Sequence, residues 1–234
     1  MGALCVIPAR GGSKRIPRKN IRPFLGKPII AYVIQSAIEA QAFEEVMVST
    51  DDKEISEISR KYGAEVPFFR SKVTSGDMIG LAEVLIEVLS SYGKIGKVFD
   101  QVCCILPTSP LLSSARIKDS VGKLNKSNEI DAVVSVCQYD SPIQRAMKIN
   151  KQEELAMIWP ENRLVRTQDL EPSYHDAGQI YTIRTEVLKE TRSLFPPRSM
   201  AEILSSNLVQ DIDNESDWVL AEIKYRILNV KKKD

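Results

Sequence analysis

The sequence contains a single histidine, His175, and its four cysteines form no Cys-x-x-Cys pair. A zinc site built from these ligand types is therefore not expected. The cysteines lie in apolar runs with strand character, which is typical of reduced core thiols in a cytoplasmic protein. They are Cys5, Cys103, Cys104 and Cys137.

Long apolar runs are also missing. No stretch approaches the ~18 residues that a membrane-spanning helix requires. The first apolar run, residues 3–9, ends at Arg10 with no charged residue before it, so it does not have the pattern of a signal peptide. We therefore expect a cytoplasmic protein with no membrane partner.

The net charge is close to zero, because 32 lysines and arginines are matched by 31 acidic residues. The distribution of charge is uneven: residues 10–27 hold seven cations and no acid, which leaves 25 cations and 31 anions elsewhere. A hydrophobic content of 43% and a charged content of 27% exclude a mainly disordered chain. The seven cations are Arg10, Lys14, Arg15, Arg18, Lys19, Arg22 and Lys27.

Short apolar segments alternate with helical patterns along most of the chain. This order predicts an α/β fold with a mostly parallel sheet and helices on both faces. Candidate helices lie around residues 30–38, 55–62, 78–89 and 117–124, and a last one begins near Asn214 or Ser216. Candidate strands are residues 4–8, 45–50, 65–69, 101–106, 132–137, 180–183 and 208–212.

The alternation breaks between Tyr139 and Tyr174. Residues 145–149 and 155–159 have strand character and are joined by a short polar turn, which predicts a hairpin and not a strand–helix–strand unit. We expect one domain, residues 1–234, with residues 139–174 projecting from it as an arm.

A basic loop, residues 8–20, follows the first predicted strand. In open α/β sheets this is the usual position of a phosphate-binding loop. Gly11 and Gly12 allow backbone N–H groups to approach an anion, and Arg10, Lys14 and Lys19 supply charge that neutralises a triphosphate. The loop fits neither the Walker A nor the GxGxxG pattern. The alternative interpretations are a solvated basic loop or a nucleic-acid patch.

A pair of carboxylates, Asp211 and Asp213, ends the last predicted strand. Alternation along a strand places both on one side, with Ile212 on the other, so that both can reach one Mg²⁺. The alternative is that Asp213 only caps the final helix. Together with the basic loop, the pair suggests a nucleoside triphosphate held with its metal, and leaves kinase, hydrolase and nucleotidyl-transfer chemistry open.

Four separated motifs resemble the cytidylyltransferases that activate nonulosonic acids, the acylneuraminate type. They are residues 7–21 with Gly26 to Pro28, residues 141–146, residues 166–179, and residues 209–213 followed by Asp217 and Trp218. The last three look most like the pseudaminic acid branch of the family. The resemblance spans roughly residues 3–226 in the family's order.

The resemblance implies a Rossmann-like nucleotidyltransferase fold with a dimerisation arm, and transfer of CMP from CTP to the anomeric hydroxyl of a nine-carbon acidic sugar. It implies a homodimer, Mg²⁺ bound by Asp211 and Asp213, and catalysis by Arg10, Lys19 and Asp211. The implied sugar-binding residues are Tyr174, His175, Asp176 and Gln179. The implied nucleotide-binding residues are Ala9, Arg10, Gly11, Gly12, Ser13, Lys14, Lys19, Asn20 and Arg70.

Several alternatives remain at this point. The motifs of the pseudaminic acid branch favour pseudaminic acid as the acceptor, and sialic acid and legionaminic acid are the alternatives. His175 either deprotonates the sugar hydroxyl or binds it by a hydrogen bond. A non-catalytic nucleotide- or RNA-binding module is the second class of function, but few aromatic residues lie among the cations and the remaining chain is acidic, so we expect no nucleic-acid partner.

Overall fold

The computed structural model describes residues 2–76 and 78–230. The helices are α1 (Ile29–Glu39), α2 (Lys53–Lys61), α3 (Leu81–Lys94), α4 (Ser114–Lys126), α5 (Thr185–Thr191) and α6 (Glu215–Val230). The strands are β1 (Ala3–Pro8), β2 (Pro23–Phe24), β3 (Lys27–Pro28), β4 (Glu45–Ser49), β5 (Gln101–Ile105), β6 (Ala132–Gln138), β7 (Met147–Ile149), β8 (Leu155–Met157), β9 (Tyr174–Arg184) and β10 (Ser199–Leu204).

Six of these strands form the central sheet in the order β10-β6-β9-β5-β1-β4. The pairs β1–β4, β1–β5 and β10–β6 are parallel, and β9 runs antiparallel to both of its neighbours. The predicted mostly parallel sheet is confirmed. The carboxyl ends of β1, β4 and β5 meet at one edge, where ligands bind in open α/β sheets.

Apolar residues on alternate positions of β1 explain why helices cover both faces. Cys5 and Ile7 pack in one apolar cluster with α1, whereas Leu4 and Val6 pack in another with α3. A strand buried on both faces reads as a continuous apolar run, which is how residues 3–8 appear in the sequence.

The strand predicted at residues 65–69 is wrong. Glu65 begins a parallel pairing, donating its N–H to Val46 O (2.8 Å) and accepting from the Val48 N–H (2.9 Å), but it forms only an isolated bridge. Pro67 follows two residues later and has no N–H to continue the ladder. The chain turns away there towards Arg70.

The strand predicted at residues 208–212 is also wrong. The strand that pairs with β6 lies earlier, at β10, and a short 3₁₀ turn follows it at Ser206–Leu208. Val209 and Ile212 are apolar because they pack into two different clusters and not because they share a strand.

A large bulge interrupts β9 opposite β6. Val136 is paired with Asp176 and Val134 with Tyr181, so one residue of β6 faces four residues of β9. Gly178 in the bulge has φ +63°, a left-handed conformation that glycine adopts without strain. The Ser135 hydroxyl accepts the Ile180 N–H (3.1 Å) that the ladder leaves unpaired. Beyond the bulge, residues 174–176 pair with β6 again, in a shifted register.

The predicted hairpin is present, formed by antiparallel pairing of β7 with β8. Apolar side chains of this region are largely exposed, and Leu164 has 91% of its surface accessible. The other exposed side chains include Met147, Ile149 and Leu155. No helix within the described residues is long and apolar enough to cross a bilayer.

Candidate active site

A cleft of about 660 Å³ opens beside the carboxyl ends of β1 and β5. Six of the nine predicted nucleotide-binding side chains line it: Arg10, Ser13, Lys14, Lys19, Asn20 and Arg70. The lining also includes an apolar wall around the start of α3, with Ile79 and Leu81, and the turn after β5, Leu106 to Thr108. This apolar wall is not among the predicted site residues, although Met78 and Ile79 precede the helix as an apolar pair.

The first part of the loop is fastened to the end of β4. The buried Ala9 donates its N–H to Ser49 O (2.9 Å), and Gly11 donates its N–H to Asp51 Oδ1 (3.0 Å). A Cβ on Gly11 would lie 2.7 Å from Asp52 Oδ2. A side chain at position 11 would therefore require the Asp52 side chain to shift. A Cβ on Gly12 would meet no atom within 4 Å, so there is open space beside Gly12.

Arg18 holds the middle of the loop. It donates to both oxygens of Asp52 (2.5 and 3.0 Å) and to Glu54 (2.5 Å), and its backbone has φ 55°. Asp52 also caps α2 by accepting the Ile55 N–H (3.0 Å). The hydrogen bond from Arg18 lowers the pKa of the Asp52 carboxyl. Arg18 is thus a structural cation that ties the loop to α2.

Two other cations of the basic segment are also structural. Arg22 pairs with Glu215 (2.5 Å) and lies 4.6 Å from the centre of the Trp218 ring, so it joins the loop to α6. Lys27 lies 4.2 Å from the centre of the Tyr32 ring of α1. The remaining four cations of the segment line the cleft: Arg10, Lys14, Arg15 and Lys19.

Lys19 and Arg15 connect the loop to the predicted metal ligands. Lys19 Nζ donates to Ile212 O (2.6 Å) and lies 4.0 Å from Asp213 Oδ1, while Arg15 pairs with Asp213 Oδ2 (2.5 Å). Burial lowers the pKa of Lys19, and the charges of Asp213 and Asp211 oppose that shift. The two halves of the predicted site therefore meet, although about two hundred residues separate them in the sequence.

The two carboxylates flank a buried residue even though no strand forms there. Ile212 is buried, Asp211 is exposed and Asp213 is half-buried. Carboxylate oxygens suit a hard cation such as Mg²⁺, which keeps several waters and shares substrate phosphate. Within the described residues no cluster of three or more metal-ligating side chains occurs. A cation held by Asp211 and Asp213 would therefore complete its coordination with water and substrate oxygens.

The helix cap of α6 does not use the Asp213 side chain. Asn214 Oδ1 accepts the Asp217 N–H (3.1 Å), and Asp217 Oδ2 accepts the N–H groups of Asp213 (2.9 Å) and Asn214 (3.0 Å). This reciprocal arrangement is a capping box. The alternative interpretation, in which Asp213 is a capping side chain and nothing more, is wrong.

The predicted sugar-binding residues on β9 lie beyond the cleft. Asp176 accepts the Gly178 N–H (2.9 Å) and the Tyr181 hydroxyl (2.7 Å), so both of its oxygens are oriented. A Cβ on Gly178 would lie 4.0 Å from Leu106, which lines the cleft. The β9 bulge therefore lies next to the cleft at Leu106.

Tyr181, which the sequence analysis did not select, connects this region to the carboxylates. Burial raises the pKa of Tyr181, and both the hydrogen bond to Asp176 and the charge of Asp211 raise it further.

The His175 ring is hydrogen-bonded to the backbone of its neighbour. Its Nδ1 lies 2.8 Å from Asp176 O and is the donor, because a carbonyl oxygen only accepts; in the neutral imidazole Nε2 is then the acceptor nitrogen. Tyr139 packs edge-on against the imidazole, with ring centres 5.0 Å apart. Tyr174, the remaining residue of this group at the start of β9, is exposed.

Gln179 is the one member of the predicted sugar set that is buried, with 2% of its surface accessible. Its Nε2 donates to Leu208 O (2.8 Å). The structure therefore separates Gln179 from the exposed side chains of β9.

Arg70 lies at the base of the cleft. Its guanidinium donates to Ser49 Oγ (3.1 Å) and Ser49 O (2.7 Å), and its own N–H donates to Thr50 O (2.8 Å). Burial lowers the pKa of Arg70, with the charges of Asp51 and Glu87 opposing the shift. A guanidinium fixed in this way presents its remaining donor capacity in one orientation.

The sheet order and the cationic cleft at the carboxyl ends of β1 and β5 are the features expected of an α/β nucleotide-binding protein. Residues 4–205 match the family model described as cytidylyltransferase. The chain belongs to the cytidylyltransferase family.

Full-length relatives and a solved structure agree with this placement. The chain is 41% identical over 230 residues to the pseudaminic acid cytidylyltransferase of Campylobacter jejuni subsp. jejuni serotype O:2, covering 97% of each chain. It is 34% identical to the CMP-N,N'-diacetyllegionaminic acid synthase of Legionella pneumophila, covering 95% of each. The fold is similar to that of CMP:2-keto-3-deoxy-manno-octonic acid synthetase in complex with CTP, with a TM-score of 0.70, 16% identity, and coverage of 98% and 99%.

Proposed function

We propose that this cytidylyltransferase transfers CMP from CTP to the anomeric hydroxyl of a nonulosonic acid, and that the acid is pseudaminic acid. The observation that carries the proposal is the cationic cleft beside the carboxyl ends of β1 and β5, in a chain that is 41% identical over nearly its whole length to a pseudaminic acid cytidylyltransferase. The 34% identity to a legionaminic acid enzyme makes that sugar the first alternative, and sialic acid is the second.

CTP occupies the cleft in this proposal. Arg10, Lys14 and Lys19 neutralise the triphosphate, and Ser13 and Asn20 lie beside the nucleoside. Arg70, fixed by Ser49 at the base of the cleft, contacts the cytosine base. The support for this arrangement is that all six side chains line one cavity.

Asp211 and Asp213 hold Mg²⁺ in this proposal. Their oxygen-donor chemistry and their closeness to Lys19 and Arg15 support it. When bound, Mg²⁺ neutralises charge on the phosphates. Asp213 is paired with Arg15. When the triphosphate and Mg²⁺ enter in this proposal, Arg15 either leaves Asp213 or shares this carboxylate with the metal.

The chemical step needs no protein nucleophile. The anomeric oxygen attacks the α-phosphorus, the bond from that phosphorus to the oxygen bridging to the β-phosphate breaks, and pyrophosphate leaves with the electron pair of that bond. Arg10 and Lys19 stabilise the charge that grows on the phosphates. The sugar hydroxyl loses its proton to a base, and His175 Nε2 is positioned on β9 as either that base or a hydrogen-bond acceptor.

The sugar binds against β9 in this proposal. Asp176, oriented by Gly178 and Tyr181, accepts hydrogen bonds from polar groups of the acid, and Tyr174 and His175 supply exposed contact surface. Binding of the sugar between Leu106 and Asp211 brings its anomeric hydroxyl to the side of the cleft that faces the triphosphate.

The enzyme is a cytoplasmic homodimer in this proposal, with residues 139–174 as the dimerisation arm. Support comes from the exposed apolar side chains of the β7–β8 hairpin and from the unpaired state of the four cysteines, all of which are buried. The dimer is tested by sedimentation equilibrium of the wild type and of a variant carrying Ile149→Asp and Leu155→Asp.

The substrate assignment is tested by offering CTP and Mg²⁺ with pseudaminic, legionaminic and N-acetylneuraminic acids in parallel, and measuring pyrophosphate release. The expected result is the highest kcat/KM with pseudaminic acid. A higher value with one of the other sugars would replace the acceptor while keeping the reaction. Asp211→Asn is expected to abolish turnover while the chain stays folded.

A further inference from the structure

Residues 205–213, the carboxylate segment, carry Asp211 and Asp213 without belonging to any strand. Within the described chain the sheet ends with β10 at Leu204, and no strand pairs with this segment. Its own hydrogen bonds are short-range, such as the Leu208 N–H to Ser205 O (2.8 Å). Since a strand ladder does not fix the backbone, other groups must set the positions of the two carboxylates.

Lys224 of α6 supplies one such restraint. Its Nζ donates to Ser206 O (2.9 Å) and to Val209 O (2.7 Å). The side chain is half-buried, and burial lowers its pKa. An ammonium group that donates to two carbonyls three residues apart fixes the orientation of both peptide groups, and with them the direction in which the chain continues to Asp211.

Gln179 of the β9 bulge supplies a second restraint from another element. Its carboxamide donates to Leu208 O (2.8 Å), between the two carbonyls that Lys224 binds. The two donors therefore bind three carbonyls within residues 206–209, from a helix and from the sheet.

We propose that Lys224 is a positioning residue for Asp211 and Asp213, and that Gln179 acts with it. The proposal rests on the proposed function, in which the two carboxylates hold Mg²⁺. Neither side chain reaches the metal ligands directly; each acts through the backbone of the carboxylate segment. Removing one donor leaves carbonyls to be solvated and widens the range of positions that the carboxylates occupy.

The test compares the wild type with Lys224→Met, which keeps the length of the side chain and removes its donors. Lys224→Arg restores a cation with several donors. Arg226→Met is the matched control, because Arg226 lies on the same helix, is exposed, and pairs only weakly with Glu222 at 3.6 Å. Two readouts do not depend on turnover: Mn²⁺ binding in the presence of CTP without sugar, and amide hydrogen exchange across residues 205–213.

The expected result is that Lys224→Met weakens Mn²⁺ binding about tenfold, as loss of groups that orient metal ligands does. Exchange across the segment becomes faster, Tm and the KM for CTP at saturating Mg²⁺ stay unchanged, and Lys224→Arg recovers most of the affinity. Wild-type Mn²⁺ affinity and exchange in Lys224→Met would overturn the proposal, as would an equal loss in Arg226→Met.

If Lys224→Met does not fold, Gln179→Leu is measured in its place by Mn²⁺ binding and amide hydrogen exchange. Wild-type Mn²⁺ affinity and exchange in Gln179→Leu would then overturn the proposal. A wild-type chain that binds Mn²⁺ with CTP but transfers CMP to none of the three sugars would refute the proposed function. The Mn²⁺ and exchange measurements would still decide the role of Lys224.

Discussion

Asp52 offers a direct way to measure how the basic loop is held, because one carboxylate makes two separable interactions. It caps α2 through the Ile55 N–H and it accepts two hydrogen bonds from Arg18. Asparagine at position 52 removes the negative charge but keeps a good capping oxygen, whereas alanine removes both. The two variants therefore separate the cap from the ion pair.

The expected losses follow from the geometry. Removal of a capping side chain costs about 1 kcal/mol. The Arg18 side chain is 39% exposed, so solvent screens its pair with Asp52 and limits the contribution to about 1 kcal/mol. We expect Asp52→Asn to lower the free energy of unfolding by about 1 kcal/mol and Asp52→Ala to lower it by about 2 kcal/mol.

Urea unfolding at neutral pH measures both losses. Equal losses in the two variants would refute the separation into a cap and an ion pair. Gly11 of the basic loop lies so close to Asp52 that a Cβ there would contact it. A change at Asp52 is therefore expected to loosen the loop and raise the KM for CTP in both variants.

The same pair predicts a pH dependence. The Arg18 hydrogen bond lowers the pKa of Asp52 in the folded state. Its stabilisation is therefore fully present above the ordinary carboxyl pKa and is lost as the pH falls through the lower pKa of the folded state. The difference in unfolding free energy between the wild type and Asp52→Asn should shrink in acid. A difference that stays constant down to the lowest pH at which both chains fold would contradict this.

Three further predictions concern the loop and the sheet edge. Gly11→Ala should weaken CTP binding in calorimetry, because its Cβ would approach Asp52 to 2.7 Å. Gly12→Ala, which has open space around its Cβ, should bind CTP more tightly than Gly11→Ala. The reverse order of affinities would contradict this packing of Gly11 against Asp52. Lys19→Met should lower kcat about 10²-fold, as loss of a charge-stabilising donor does, and an unchanged kcat in steady-state assays would remove Lys19 from the chemistry. Glu202→Ala should cost about 2 kcal/mol in urea unfolding, because this buried carboxylate binds two cations of α4, and wild-type stability would contradict that.

Much of the fold was predictable because its signals are local. The apolar run of β1, the 3.6-residue pattern of α1 and the capping aspartate of α2 each lie within a dozen residues. The two wrong strand predictions have different physical causes, one inside its segment and one outside it. Residues 65–69 have strand composition, yet Pro67 ends the pairing after one bridge. Residues 208–212 are apolar, but side chains and not a strand bind their carbonyls.

The candidate site shows the same division. Seven cations lie in one segment of the sequence, and all carry the same charge. The sequence alone therefore could not show that Arg18, Arg22 and Lys27 contact α2, α6 and α1 and do not line the cleft. Arg15 was not selected because its partner, Asp213, lies far away in the sequence. Gln179 was selected from a motif, and only its burial reveals its contact with Leu208.

The central claim, transfer of CMP to a nonulosonic acid, is tested most directly by ³¹P NMR of the wild-type chain with CTP, Mg²⁺ and pseudaminic acid. The account predicts that the three CTP resonances are replaced by one phosphodiester resonance and by pyrophosphate in equal molar amounts, and that both are missing when the sugar is omitted. Phosphate with CDP, or unchanged CTP with each of the three sugars, would contradict it.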